Sequence, residues 1–181
     1  MEGIEEAFER LNRFVAQSME RARTPGLALA LTDRDGLIRV TTYGYADMAA
    51  RMAVRPETLF EIGSVGKSFT ALAVMQLAEA GKVDLDAPVQ RYIPWFRVAE
   101  PEASAQITVR HLLNQTSGLT EGAGRRATLA AGMHPLEPAV RALAATGLAR
   151  SPGAAFEYSN LNYTTLGWSW RWRPESHSTP T

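Results

Sequence analysis

The stretch Leu59-Phe60-Glu61-Ile62-Gly63-Ser64-Val65-Gly66-Lys67-Ser68-Phe69-Thr70 decides how this chain is read, and it admits two incompatible chemistries. A phosphate-binding loop, G-x-x-x-x-G-K-[ST], would end in Gly66-Lys67-Ser68, but its first glycine would fall on Glu61. An acid there opposes a bound phosphate, so the nucleotide reading fails; only thermal stabilisation by ATP would revive it. The other reading is Ser64-x-x-Lys67 at a helix start, which sets hydroxyl and amine on one face, one turn apart. Serine is a poor nucleophile until a base takes its proton. A lysine does so if its pKa falls from about 10.4 toward about 7 or 8 through burial and neighbouring cations. The apolar helix that follows is expected to bury Lys67. The helix N-terminus adds the Ser64 N–H and a partial positive charge, both suited to an oxyanion. With ten serines and two lysines in the chain, chance supplies about 0.1 S-x-x-K matches. Taken alone, the pair reads equally well as an N-cap serine followed by a solvated lysine.

Downstream, Ser64 to Ala80 is apolar around most of its circumference with Gly81 at C′, which predicts a buried central helix. Upstream, Ile4, Phe8, Leu11 and Val15 recur at helical spacing, so 4–22 reads as an amphipathic helix ended by Thr24-Pro25-Gly26. Leu27 to Leu31, a turn at Asp33-Arg34-Asp35-Gly36, and Leu37 to Tyr43 predict a β-hairpin whose second strand Gly44 closes. Lys82 to Phe96 reads as a loop with short turns. Thr108 looks like the N-cap of a short helix through Asn114, broken by Thr116-Ser117-Gly118. Residues 120–135 read as a surface connection, Pro138 to Leu148 as a helix, Ser151-Pro152-Gly153 as a turn and Ala155 to Tyr158 as extended chain before a helix from Asn160.

A second constellation stands at Phe156-Glu157-Tyr158-Ser159-Asn160. A phenol and an amide two residues apart in extended chain point the same way, so one relays protons while the other orients a carbonyl or the lysine. The competing reading is a buried tyrosine followed by an asparagine N-cap.

Order and context resolve the tie. The 59–70 run, the run Ile107-Thr108-Val109-Arg110-His111-Leu112-Leu113-Asn114-Gln115-Thr116-Ser117-Gly118-Leu119, and Ser151-Pro152-Gly153 through Gly167 with Tyr158-Ser159-Asn160 together resemble the serine beta-lactamase family. The branch looks like class C beta-lactamases, their esterase relatives and D-amino-acid peptidases. The resemblance implies an α/β (α+β) fold, an antiparallel sheet with a helical subdomain, over 1–167. It also implies Ser64 as the acylated nucleophile, Lys67 as its proton acceptor and hydrogen-bond partner, Tyr158 as general acid/base and Asn160 as a substrate and lysine contact. Leu112 to Leu119 becomes a supporting loop. Asn114-Gln115 departs from the Thr-His common there, a change expected to be tolerated.

Composition sets the partners. Of 181 residues, 45% are apolar and 21% charged, and nineteen basic side chains cancel nineteen acidic ones. That balance argues against nucleic acid and against a polybasic membrane surface, and no apolar run nears the roughly 20 residues that span a bilayer. A small, uncharged or mixed-charge partner fits better, and the resemblance implies that it is an amide, lactam or ester substrate. With no cysteine, and with His111, His134 and His177 lacking metal-ligand spacing, neither a thiolate nor a zinc centre is expected, and no cofactor is implied. The acidic start carries no apolar signal region, so the chain reads as cytoplasmic or as one whose leader was removed. Its sequence does not specify an oligomeric state.

Relatives continue with further sheet strands and a K-T-G or H-x-G motif, and no such motif follows Asn160 here. The resemblance therefore implies missing C-terminal strands, an under-partnered 27–43 hairpin and loss of a second oxyanion donor, which costs about 10² to 10³ in rate. Impaired hydrolysis is the expectation, and a non-catalytic fragment or interaction module is the alternative. Three of four tryptophans, Trp168, Trp170 and Trp172, crowd the last fourteen residues. Tryptophan has a single codon, and shifting the frame from Gly167 onward turns this run into a helix such as L-V-V-E-V-A. Trp168 to Thr181 is thus read as an out-of-frame tail; a stop codon close downstream in the shifted frame would refute it.

Overall fold

A computed structural model describes residues 2–122 and 136–169 of the chain. These form two compact units, within Met1–Glu61 and Ile62–Thr181.

The first unit opens with α1 (Glu2–Ala22), carried by the 3.6-residue apolar spacing predicted above and laced by Glu6–Arg10 and Glu9–Arg13 pairs at i,i+4. Beyond Pro25, β1 (Gly26–Asp33) and β2 (Gly36–Asp47) pair antiparallel, with Leu27 opposite Tyr43 and Leu29 opposite Thr41. Their turn is held by Asp33 Oδ1, which accepts from the N–H groups of Asp35 and Gly36 at 2.8 and 2.9 Å. Within this unit α1 meets the sheet through Tyr43, whose hydroxyl donates to Asn12 Oδ1 at 2.6 Å, and through Arg39, stacked 4.6 Å from the Phe8 ring centroid.

Within the hairpin, one boundary differs from expectation. Gly44 does not close the second strand. It takes φ +66, and a Cβ there would stand 2.1 Å from the Pro25 carbonyl oxygen, so only glycine lets the strands come this close. β2 runs on to Asp47 and pairs with β3 (Met52–Ala53), giving the sheet order β1-β2-β3. Its Leu37, Ile38 and Val40 are exposed, in keeping with the under-partnered hairpin expected above.

The second unit holds the larger core. Phe96, Ile107, Leu112, Leu119, Leu143 and Leu161 are sealed from solvent, each worth about 1.5 to 3 kcal/mol of transfer free energy. α2 (Gly66–Glu79) follows a 3-10 turn at Gly63–Val65 and ends at Gly81, φ +69. α3 (Pro101–Gln106), which carries proline in its first turn, was not anticipated from the sequence. Thr108 does cap α4 (Val109–Leu113): its Oγ1 accepts from His111 N–H while His111 Nδ1 accepts from Thr108 N–H. α5 (Leu136–Arg141) and a 3-10 turn (Ala142–Ala145) precede the 151–159 segment, and α6 (Asn160–Ser169) closes the described chain. α6 packs on α4, α5 and α2, and its Trp168 meets Trp95 at 5.9 Å between ring centroids.

α2 corrects the expectation of a buried central helix. Of its residues only Val74 is buried, while Phe69, Leu72 and Met75 are exposed. The helix is apolar on most sides, but the described elements of its unit cover one of them, chiefly through α6. Lys67 is consequently half-buried, less than the sequence led one to expect. The remainder of the tail, with Trp170 and Trp172, lies outside the described residues, as do His134, His177 and the 123–135 part of the surface connection.

Candidate active site

Ser64 sits in the 3-10 turn that feeds α2, and Lys67 in the first turn of the helix itself. The geometry delivers the one-face relationship that S-x-x-K spacing demands: Lys67 Nζ donates to Ser64 Oγ at 2.9 Å. Tyr158 and Asn160 arrive from the other end of the unit. The segment before α6 carries Tyr158 so that its hydroxyl lies 2.6 Å from Ser64 Oγ, and the first residue of α6, Asn160, accepts at its Oδ1 from Lys67 Nζ at 2.7 Å. All four residues singled out from the sequence therefore converge in one cluster. Ser64 is exposed and Tyr158 is 39% exposed, so the cluster is open to solvent.

Electrostatics around the phenol are one-sided. The polar contact with Lys67, then the hydrogen bond with Ser64, hold the Tyr158 hydroxyl below the ordinary phenol range, outweighing the opposing effects of partial burial and of Glu121. Lys67 Nζ lies 5.0 Å from the Tyr158 ring centroid and 5.8 Å from that of Tyr163. Burial raises the Tyr163 phenol instead, and its hydroxyl donates to the Leu113 carbonyl at 3.2 Å, a structural role.

Two residues of the site escaped the sequence reading. Glu121 takes both hydrogen bonds that Asn160 offers it, from Nδ2 to Oε1 at 2.8 Å and from the main-chain N–H to Oε2 at 3.0 Å. An amide held this way turns its oxygen to Lys67, and the carboxylate satisfies a first-turn N–H of α6. Gln115 was noticed only as a departure from a family pattern. In the structure it is buried, at φ +60, and holds the strand of chain on which Tyr158 stands. An acid beyond a Thr-Ser-Gly turn and a glutamine before it carry no local signal of partners some forty residues away.

The 116–118 turn supports the same segment. Gly153 N–H donates to the Thr116 carbonyl at 2.7 Å and Ala149 N–H to the Gly118 carbonyl at 2.9 Å. Gly118 adopts φ +86, and a Cβ there would fall 2.2 Å from the Arg150 carbonyl oxygen, so the approach requires glycine. Among the described residues no three His, Cys, Asp or Glu side chains gather as metal ligands, and no helix is long and apolar enough to cross a membrane.

Comparison with known proteins points the same way. The family model described as Beta-lactamase matches residues 11–168. Esterase EstB of Burkholderia gladioli is 36% identical over 163 residues, covering 83% of this chain and 41% of that protein. Protein flp of Staphylococcus aureus (strain COL) is 29% identical over 159 residues, covering 88% of this chain and 32% of that protein. Among solved structures, D-alanine carboxypeptidase AmpC from Burkholderia cenocepacia superposes with a TM-score of 0.72 at 27% identity, covering 91% of this chain and 42% of that one. The chain spans about a third of the length of the staphylococcal relative.

Proposed function

Since this chain belongs to the beta-lactamase family and carries its α+β fold, we propose that it is a serine hydrolase acting on an amide, lactam or ester through an acyl-enzyme on Ser64. The observation that carries this reading is that one oxygen, Ser64 Oγ, stands 2.6 Å from the Tyr158 hydroxyl and 2.9 Å from Lys67 Nζ at once. A serine flanked by a proton-accepting group and a cationic donor is an activated nucleophile.

In this reading Ser64 Oγ attacks the acyl carbonyl carbon and its proton passes to the Tyr158 oxygen, which the contact with Lys67 favours as phenolate. Lys67, the acceptor that the family resemblance implies, instead donates to Ser64 Oγ and Asn160 Oδ1 and acts as the cation beside the phenolate. The Ser64 N–H, in the 3-10 turn that feeds α2, is the donor assigned to the developing oxyanion in this reading. As the tetrahedral intermediate collapses, the bond to the leaving nitrogen or oxygen breaks and Tyr158 returns the proton to that atom. Water then attacks the Ser64 ester and gives its proton to Tyr158; as the second tetrahedral intermediate collapses, the bond to Ser64 Oγ breaks, Tyr158 returns the proton to that oxygen, and the carboxylic acid leaves. Asn160 holds Lys67 in place through its Oδ1. That the relatives include an esterase and a D-alanine carboxypeptidase supports an ester or a D-amino-acid peptide as the substrate class.

Intact-mass spectrometry after incubation with a penicillin and, separately, an activated ester tests it. An adduct that Ser64→Ala abolishes is the expected outcome. A folded chain that takes up neither acyl group would instead be a non-catalytic member of the family, suited to binding only.

A further inference from the structure

The N–H groups of the two residues that flank Tyr158 both end on one residue. Glu157 N–H donates to the main-chain carbonyl of Gln115 at 2.8 Å, and Ser159 N–H donates to Gln115 Oε1 at 3.0 Å. The same Oε1 accepts from Asn162 Nδ2 at 2.6 Å, and Asn162 Oδ1 accepts from the Ser117 hydroxyl at 2.5 Å. Gln115 is 6% exposed, while Ser117, Ser159 and Asn162 are fully buried. No described buried side-chain polar atom lacks a partner, so this is a satisfied network, which rigidifies what it touches. Gln115 also holds φ +60, a conformation that residues other than glycine and asparagine rarely take. Such strain persists where the surroundings over-determine it. Here they include the two hydrogen bonds astride Tyr158.

We propose that Gln115 is the positioning residue of the site, gripping the chain on both sides of Tyr158 so that the phenol oxygen stays within reach of Ser64 and Lys67. Its kinetic consequence rests on the hydrolase reading above, whereas its structural consequence does not. Tyr158 displaced from Lys67 and Ser64 loses the contacts that favour its phenolate, and this is readable without any substrate.

Gln115→Asn suits the left-handed backbone but falls one methylene short of Ser159 N–H, whereas Gln115→Glu keeps an oxygen in place. The ionisation of Tyr158 is followed as the ultraviolet tyrosinate difference between each protein and its Tyr158→Phe counterpart. In Gln115→Asn the titration is expected to move up toward the ordinary phenol range and acylation by p-nitrophenyl acetate to slow by about 10²-fold. Gln115→Glu is expected to restore both. Asn162→Ala, which damages the same network away from Tyr158, is expected to lower the thermal midpoint and leave the titration in place. A folded Gln115→Asn protein with the parental titration overturns the proposal, as does an equal shift in Asn162→Ala. If Gln115→Asn and the volume-matched Gln115→Met both fail to fold, the residue is structural and the proposal is again overturned. A shifted titration in a parent that never acylates would keep Gln115 in its role and remove the hydrolase reading.

Discussion

Ser64 Oγ lies 2.6 Å from the Tyr158 hydroxyl, a contact that spans 94 residues of chain. Both side chains are exposed, so burial does not force the two oxygens together. Anchoring does: Tyr158 stands on chain gripped by Gln115, and Asn160, two residues on, is tied to Glu121. The site is thus an open surface cluster held by the buried Gln115 on one side and by the exposed Glu121 carboxylate on the other.

Replacing Tyr158 by phenylalanine removes the oxygen and keeps the ring beside Lys67. Acylation measured by adduct formation should fall about 10²- to 10⁴-fold, the usual worth of general acid–base catalysis. The thermal midpoint should stay near that of the parent, because the hydroxyl is solvent-accessible and its loss leaves no buried group unpaired.

If Tyr158 phenolate takes the serine proton, as proposed, the acylation rate should rise with pH as Tyr158 ionises. Lys67, the largest influence, and Ser64 hold that phenol below the ordinary range, so the plateau is reached at lower pH than a free phenol would allow. Removing the cation disfavours the phenolate, so Lys67→Met should push the rise toward higher pH. A pH–rate profile of both proteins with one activated ester checks the direction.

Glu121 should act through Asn160. Gln in its place offers one acceptor where the carboxylate offered two, and Ala offers none. Acylation should therefore decline in the order parent, Gln, Ala, as the Asn160 amide becomes free to turn its donor toward Lys67. Loss of the acceptor at the start of α6 should also cost about 1 kcal/mol, read as a drop in the chemical denaturation midpoint of the Ala variant.

Core and surface of the second unit should separate cleanly. Phe96→Ala empties a site with no exposure and should cost about 3 to 5 kcal/mol. Leu72→Ala acts at a residue 58% exposed and should stay within about 0.5 kcal/mol. Urea unfolding of the two variants would show whether α2 is as uncovered in solution as its surface implies.

Much of this was legible in the residues. The periodicity of Ile4, Phe8, Leu11 and Val15 marked α1, the Asp33 to Gly36 turn marked the hairpin, and Thr108 marked the start of α4, because each is set by partners within a few positions. Glycine misled once: Gly44 reads as a strand end, yet it serves a close approach to Pro25 inside a longer strand. The apolar run after Lys67 misled differently, since composition reports what a helix prefers to bury and not what covers it. Glu121 and Gln115 stayed invisible because an acid or amide does not declare which distant N–H it will accept.

By itself, then, the sequence determined which local elements form and that Ser64 and Lys67 share a face, since a helix start places residues three apart together whatever the rest of the chain does. Only tertiary structure decided that Tyr158 and Asn160 would meet them, spanning 94 and 93 residues. That meeting depends on the 116–118 turn, the hydrogen bonds from Glu157 and Ser159 to Gln115 and the packing of α6, which exist only once loops of that length have closed.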